Sequence, residues 1–172
     1  MRFTTLLNPL ALAATVLGDY TAIVASISDI NKSTLKLQTN VNNWKGNLLG
    51  TLPIISESTA LLEAIKKGTK TSKASEALNF TGALYVAEGT ISLANSVNAT
   101  MTALIAAKPK FNKLLLGPII LVNLGLQKSA TDDFSAAILT KVPADLKAVA
   151  ESLIAPIDKA LEKAIDEFRH FP

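Results

Sequence analysis

The 172-residue chain contains no cysteine and a single histidine, His170, two positions from its end. Without cysteine there is no disulfide to staple the fold and no thiolate to serve as nucleophile or metal ligand. One terminal histidine leaves a serine nucleophile without a good activating base. Glu167 and His170 stand at the Glu-x-x-His spacing of di-metal bundles, but such sites need two of these motifs, and a second histidine does not exist. Glycine-rich phosphate loops are missing as well. Asp158, Glu162, Asp166 and Glu167 interleave with Lys159 and Lys163, the pattern of a solvated, ion-paired helix face. This inventory argues against catalysis and implies neither a cofactor nor a metal.

Other scarcities narrow the class further. Seventeen Lys and Arg against fourteen Asp and Glu give no electrostatic footprint for nucleic acid. Aromatic residues make up 5% of a chain that is 49% hydrophobic, so the core must be built from Leu, Ile, Val and Ala. Period-two alternation and Asn-Gly or Asp-Gly hairpin turns are absent, which removes the usual signs of strands. The most apolar stretch after the N-terminal region, LLLGPIILVNLGL at residues 114–126, is flanked by Lys113 and Lys128. It falls short of the roughly 20 apolar residues of a membrane span, and it reads as a buried helix kinked at Pro118.

What is present begins with Arg2, an apolar run from Phe3 to Leu17, and Gly18 ahead of the first acidic residue, Asp19. This is the pattern of a secretory signal peptide over residues 1–18, leaving 19–172 as one domain, a length that buries about 70% of the unfolded chain's surface. Asn31, Asn79 and Asn98 each open an Asn-x-Ser/Thr triplet, so a secreted chain offers three glycosylation acceptors, each expected to face solvent.

Apolar residues in the domain recur at steps of three and four, predicting an all-α bundle of about five amphipathic helices, some kinked at Pro or Gly. The first, Asp19 to Trp44, points Ile30 and Leu37 inward with Ile27 and Val41. The second begins near Pro53 and carries Leu61 and Ile65, and Gly68 to Ser75 is expected to be an exposed connection. A third runs from Leu78 to Ala107, bent at Gly82 or Gly89, with Leu84, Val97, Met101 and Leu104 inward. Lys108-Pro109 is expected to stop it. The fourth, from Phe111 to Thr140, is assigned an inward stripe of Leu115, Ile119, Val122 and Leu126. A fifth opens at Val142-Pro143-Ala144-Asp145, with Leu153, Ile157 and Leu161 inward and a kink at Pro156.

Three hydroxyls interrupt these stripes: Thr34, Ser58 and Ser129. Either each bonds back to a carbonyl of its own helix, or they offer hydrogen bonds to the polar head of an enclosed amphiphile whose tail lies among the aliphatic residues named above.

Val24 to Ile30, the run VNATMTALIAAKPKF from Val97 to Phe111, and FSAAILTKVPADLKAVAESLIAPI from Phe134 to Ile157 together resemble the fungal hydrophobic-surface-binding protein A family, which includes cell-wall galactomannoproteins. The resemblance implies a secreted or wall-associated five-helix domain. Some members of that family bind fatty acids in a tunnel through the bundle, and others adsorb to hydrophobic surfaces and recruit hydrolases. The expected partner is therefore a fatty acid or other long-chain amphiphile, with hydrophobic surfaces or wall components as the alternative. No Ser/Thr-rich stalk or apolar anchor signal follows Phe168, which favours a soluble product over a wall-anchored one.

Overall fold

The computed structural model describes residues 19–170. The predicted leader lies outside them. Five helices follow one another: α1 (Asp19–Asn43), α2 (Thr51–Ala74), α3 (Phe80–Lys113), α4 (Gly117–Leu139) and α5 (Lys147–Arg169), with a 3₁₀ turn at Ala144–Leu146 leading into α5. Among the described residues there is no strand.

Each helix buries a stripe spaced alternately by three and four residues. In α1 the stripe is Ile23, Ile27, Ile30, Thr34, Leu37 and Val41, and in α2 it is Ile54, Ser58, Leu61, Ile65, Gly68 and Ser72. This near-heptad spacing keeps one face of a long helix on its partners over its whole length. The helices close into a ring in the order α1, α3, α5, α4, α2 and back to α1, while α3 and α4 scarcely touch. Five helices in a ring leave an axis that no helix occupies, so side chains must fill it or leave it open.

α1 and α3 approach closely. A Cβ on Gly82 would come within 2.8 Å of Tyr20 Cβ, and one on Gly89 within 3.2 Å of Ile27. These glycines, predicted to bend the third helix, lie within one continuous α3 and provide room for α1. Near the other end of the same pair, Trp44, Phe111 and Phe168 pack in sequence, the first two rings tilted at 31° and the last two edge to face at 62°, with ring centroids 4.4 Å and 6.1 Å apart. All three are at most 3% exposed.

Several predicted boundaries move. α3 does not stop at Pro109; the proline sits inside its last turns and the helix runs on to Lys113. It ends instead in a Schellman motif. Leu116 N–H donates to Phe111 O and Leu115 N–H to Asn112 O, both at 3.0 Å, with Leu115 left-handed at φ 57°. Glycine usually takes that position, and for leucine the conformation costs about 1–2 kcal/mol. Pro118 does not kink a helix but stands in the first turn of α4, where its missing N–H is harmless. The stretch predicted as an exposed connection, Gly68 to Ser75, is helical as far as Ala74, because Gly68 and Ser72 are buried in the α2 stripe.

The inward face of α4 also differs. Ile120, Leu124, Gln127, Thr131, Phe134 and Ile138 are buried, whereas Leu115, Ile119, Val122 and Leu126 are 84%, 47%, 63% and 50% exposed. Asn123 is the one polar side chain in residues 114–126, so their periodicity selects no side. The second half of α4 does: Asp132 and Asp133 face solvent and Phe134 and Ile138 face in. Continuing that stripe back by threes and fours arrives at Leu124 and Ile120.

Candidate ligand-binding site

The ring axis is unevenly filled. At the end where α3 and α5 begin, a cleft opens between the first half of α3, the second half of α4 and the start of α5. It has a cavity volume of about 80 Å³ and is lined by residues such as Ile27, Val86, Leu93, Phe134, Ile154 and Ile157. Small side chains create it: Ala83, Ala87, Thr90 and Ala150 stand where larger residues would close the wall. A second space of about 30 Å³, among Ile30, Thr34, Leu61, Ile65, Val97, Met101 and Leu161, shares Leu93, Thr131, Phe134 and Ile157 with the cleft. A third, of about 20 Å³ beside Leu37, Ser58, Leu104 and Leu124, shares Gln127 with the second. The three form a row along the axis, with Phe134 and Thr131 at the first junction and Gln127 at the next.

Two of these junction residues are polar in an apolar interior. Gln127, 3% exposed, donates from Nε2 to Ser58 Oγ at 2.8 Å, and Ser58 Oγ in turn donates to Asn123 Oδ1 at 3.3 Å. This short relay joins α2 to α4 and satisfies a serine whose burial would otherwise be costly. Thr131, one turn after Gln127, borders both the cleft and the second space. Phe134 presses against Gly68, where a Cβ would lie 3.0 Å from its ring. Gly68 therefore makes the room in which the ring sits across the axis.

The predicted lining residues divide. Ile30, Leu37, Leu61, Ile65, Val97, Met101, Leu104, Ile157 and Leu161 border the row of spaces and are buried. Leu153 is half-buried at the cleft. Leu84 is 54% exposed at the rim of the cleft rather than in the interior. Ile119, Val122 and Leu126 lie outside, on the exposed side of α4.

The hydroxyls also part company. Thr34 borders the second space, but its Oγ1 donates to Ile30 O of its own helix at 2.8 Å, the local bond that competes with any ligand. Ser58 instead reaches across to α4. Ser129 is exposed, because the inward turn of α4 is set by Gln127 and Thr131 on either side of it. Gln127, Thr131 and Phe134 were not singled out by the sequence, although the inward stripe of the second half of α4 leads to all three.

Of the three sequon asparagines, Asn79 and Asn98 are exposed. Asn79 caps α3, its Oδ1 accepting from Gly82 N–H at 2.7 Å. Asn98 borders an outer groove of about 480 Å³ between α3 and α5, together with Lys159 and Lys163. Asn31 does not face solvent as expected: it is half-buried between α1 and α3, with Nδ2 3.4 Å from Ser92 Oγ. Among the described residues no cluster of His, Asp and Glu is suited to a metal ion, and no helix is long and apolar enough to cross a membrane.

On the outer seam of α4 and α5, Lys128 Nζ lies 2.6 Å from Asp132 and 3.7 Å from Asp158. Burial pushes the Lys128 ammonium down, but the hydrogen bond to Asp132 and the charges of Asp158, Asp132 and Glu162 outweigh it and raise its pKa. Burial raises the Asp158 carboxyl, with Lys128 opposing and Asp132 and Glu162 adding to the rise. Two carboxylates therefore share the Lys128 ammonium.

The fold is shared with solved structures. The chain superposes on Afmp4p in complex with palmitic acid with a TM-score of 0.84, at 27% identity, covering 87% of this chain and 99% of that one. On ligand binding domain 1 of the Penicillium marneffei MP1 protein, complexed with arachidonic acids, the TM-score is 0.83 at 21% identity, covering 87% and 98%. In sequence it is 33% identical over 143 residues to cell wall mannoprotein 1 of Aspergillus flavus, covering 83% of this chain and 52% of that protein. With cell wall mannoprotein 1 of Aspergillus fumigatus it shares 31% identity, covering 98% and 61%. The chain thus spans about half to three fifths of the length of these relatives. Residues 20–140 match the family model of hydrophobic surface binding protein A, and the chain belongs to that family.

Proposed function

We propose that this chain encloses a long-chain fatty acid or similar amphiphile in the interior of its bundle and carries it without altering it. The observation behind this reading is the row of apolar spaces along the ring axis, open at the cleft. Support comes from the palmitic acid complex of a structure with 27% identity and nearly complete overlap. The cell wall mannoprotein relatives and the apolar N-terminal run support export to the cell surface or wall, with residues 1–18 as the leader, 19–172 as the domain, and Asn79 and Asn98 as the better exposed glycan acceptors.

The ligand's tail lies in the cleft and its head in the middle of the bundle. At the cleft the lining is almost wholly aliphatic, whereas Gln127, Ser58 and Thr131 supply the hydrogen-bonding groups along the axis. A water requires about 10–15 Å³ of such space, so the present volumes hold about ten waters and are smaller than a long acyl chain. Binding therefore includes a swing of Phe134 that joins the cleft to the second space.

Native mass spectrometry of the secreted protein, with displacement of a fluorescent fatty acid, tests this reading. A one-to-one adduct of fatty-acid mass and saturable displacement are expected. Thr131→Val and Gln127→Leu should weaken the fatty acid several-fold while changing binding of its methyl ester less. A folded protein that shows no saturable binding across acyl lengths would overturn the reading.

A further inference from the structure

The end of the molecule opposite the cleft carries a different apolar feature, on its outside. Here the connection from α1 to α2 and the first turns of α2 and α4 lie together. Lys110 Nζ donates to Trp44 O at 2.9 Å, the α1–α2 connection packs on the Lys110 stem at Gly46, and Ile54 and Ile55 share a pocket with Ile120. Leu48, Leu49, Leu52, Leu115, Ile119 and Val122 are 62%, 79%, 62%, 84%, 47% and 63% exposed at this tip. Large aliphatic residues gathered at one exposed place signify an interaction surface rather than ordinary scatter.

Two further observations say what covers it. Charge favours cations. Lys45 and Lys113 are exposed beside the patch, the first turns of α2 and α4 hold no acidic residue, and the exposed carboxylates at this end, Asp166 and Glu167 in the last turn of α5, face Arg169 at 2.9 Å and Lys108 at 4.0 Å. Backbone strain is the second observation. Leu115 adopts φ 57°, where glycine would be unstrained, and in doing so places an 84% exposed leucine at the turn between α3 and α4. An apolar tip rimmed by cations matches a surface with negative headgroups over a hydrocarbon interior.

We propose that this tip docks onto an anionic lipid surface, with Leu48, Leu49, Leu52, Leu115, Ile119 and Val122 entering the acyl region and Lys45 and Lys113 meeting the headgroups. The α2 and α4 N-termini then point at the membrane while the cleft faces away from it. This docking does not rest on the enclosed-ligand reading.

The test uses the folded protein and vesicles of phosphatidylcholine with and without phosphatidylglycerol in a sedimentation assay. Wild type should bind the anionic vesicles and bind phosphatidylcholine alone at least tenfold more weakly. Leu49→Ser/Leu115→Ser/Val122→Ser should lose at least tenfold in partitioning to anionic vesicles. Lys45→Gln/Lys113→Gln should lose several-fold and show a flatter salt dependence. The altered residues are exposed, so circular dichroism and fatty-acid displacement should match wild type in every variant. The proposal is overturned if wild type fails to bind anionic vesicles, if the triple variant binds as wild type does, or if light scattering shows that the leucines hold two copies of the chain together.

Discussion

The two ends of the bundle solve the same problem in opposite ways. Where α1 and α3 finish, the ring axis is filled by Trp44, Phe111 and Phe168, which are buried in contact with one another. Where α3 and α5 begin, alanines and threonines line the wall and a cleft remains. A chain with few aromatic residues has placed three of them in one plug, so rigidity is concentrated at one end and room at the other. Stability and binding should accordingly respond to different residues.

Phe168→Ala is expected to have the largest effect. The side chain is 0% exposed, and truncating a buried phenylalanine costs about 3–5 kcal/mol. Chemical denaturation should show that loss, while fatty-acid affinity measured under folding conditions changes little. A large loss of affinity without loss of stability would erase the distinction between the ends. Ala87→Phe tests the converse. It fills the cleft from a half-buried position and should cut affinity at least tenfold, with stability within about 1.5 kcal/mol of wild type because the added ring enters existing space.

The relay between the ends gives an intermediate effect. Ser58→Ala removes the 2.8 Å hydroxyl partner of the Gln127 amide and leaves it only the Ser58 carbonyl at 3.5 Å, and a poorly satisfied buried donor costs about 1–3 kcal/mol. Gln127→Leu removes the donor itself and leaves Ser58 still bonded to Asn123, so its cost should be below about 1 kcal/mol. Thermal unfolding of the two variants side by side decides the point; equal costs would mean that the relay's asymmetry is not what stabilises the α2–α4 seam.

The facing of α1 and α2 was legible in the sequence because their inward residues alternate with clearly polar ones. Ile30, Leu37, Leu61 and Ile65 all lie where their spacing puts them. That of α4 was not, since Ile119 and Ile120 are equally apolar neighbours and only Asp132 and Asp133 further along settle the rotation. Pro109 and Pro118 misled for a related reason. A proline announces a missing N–H, but whether that falls inside a helix or in its first turn depends on where the preceding carbonyls are used, which tertiary packing decides. The ring order, and hence the row of spaces with Phe134 across it, arises from contacts between helices distant in sequence, on which periodicity is silent.

The smallest effect concerns the outer seam and sharpens the comparison from outside the core. Asp158 Oδ1 is buried without a hydrogen-bond partner, and its nearest cation, Lys128, lies 3.7 Å away and is already bonded to Asp132 at 2.6 Å. Burial, chiefly, holds the Asp158 carboxyl above its ordinary value of 3.8, so the native state binds this proton more tightly than the unfolded chain does. Its contribution to stability therefore falls as pH rises through the window between that ordinary value and the raised one. Asp158→Asn keeps the shape and cannot ionise. It should abolish this segment of the pH dependence and, at neutral pH, leave stability equal to or slightly above wild type, since Lys128 retains Asp132. Unfolding midpoints of both proteins between about pH 4 and pH 7 provide the measurement. A variant clearly less stable than wild type at neutral pH would show that attraction to Lys128 outweighs burial, making the α4–α5 seam an ion pair that holds the ring closed.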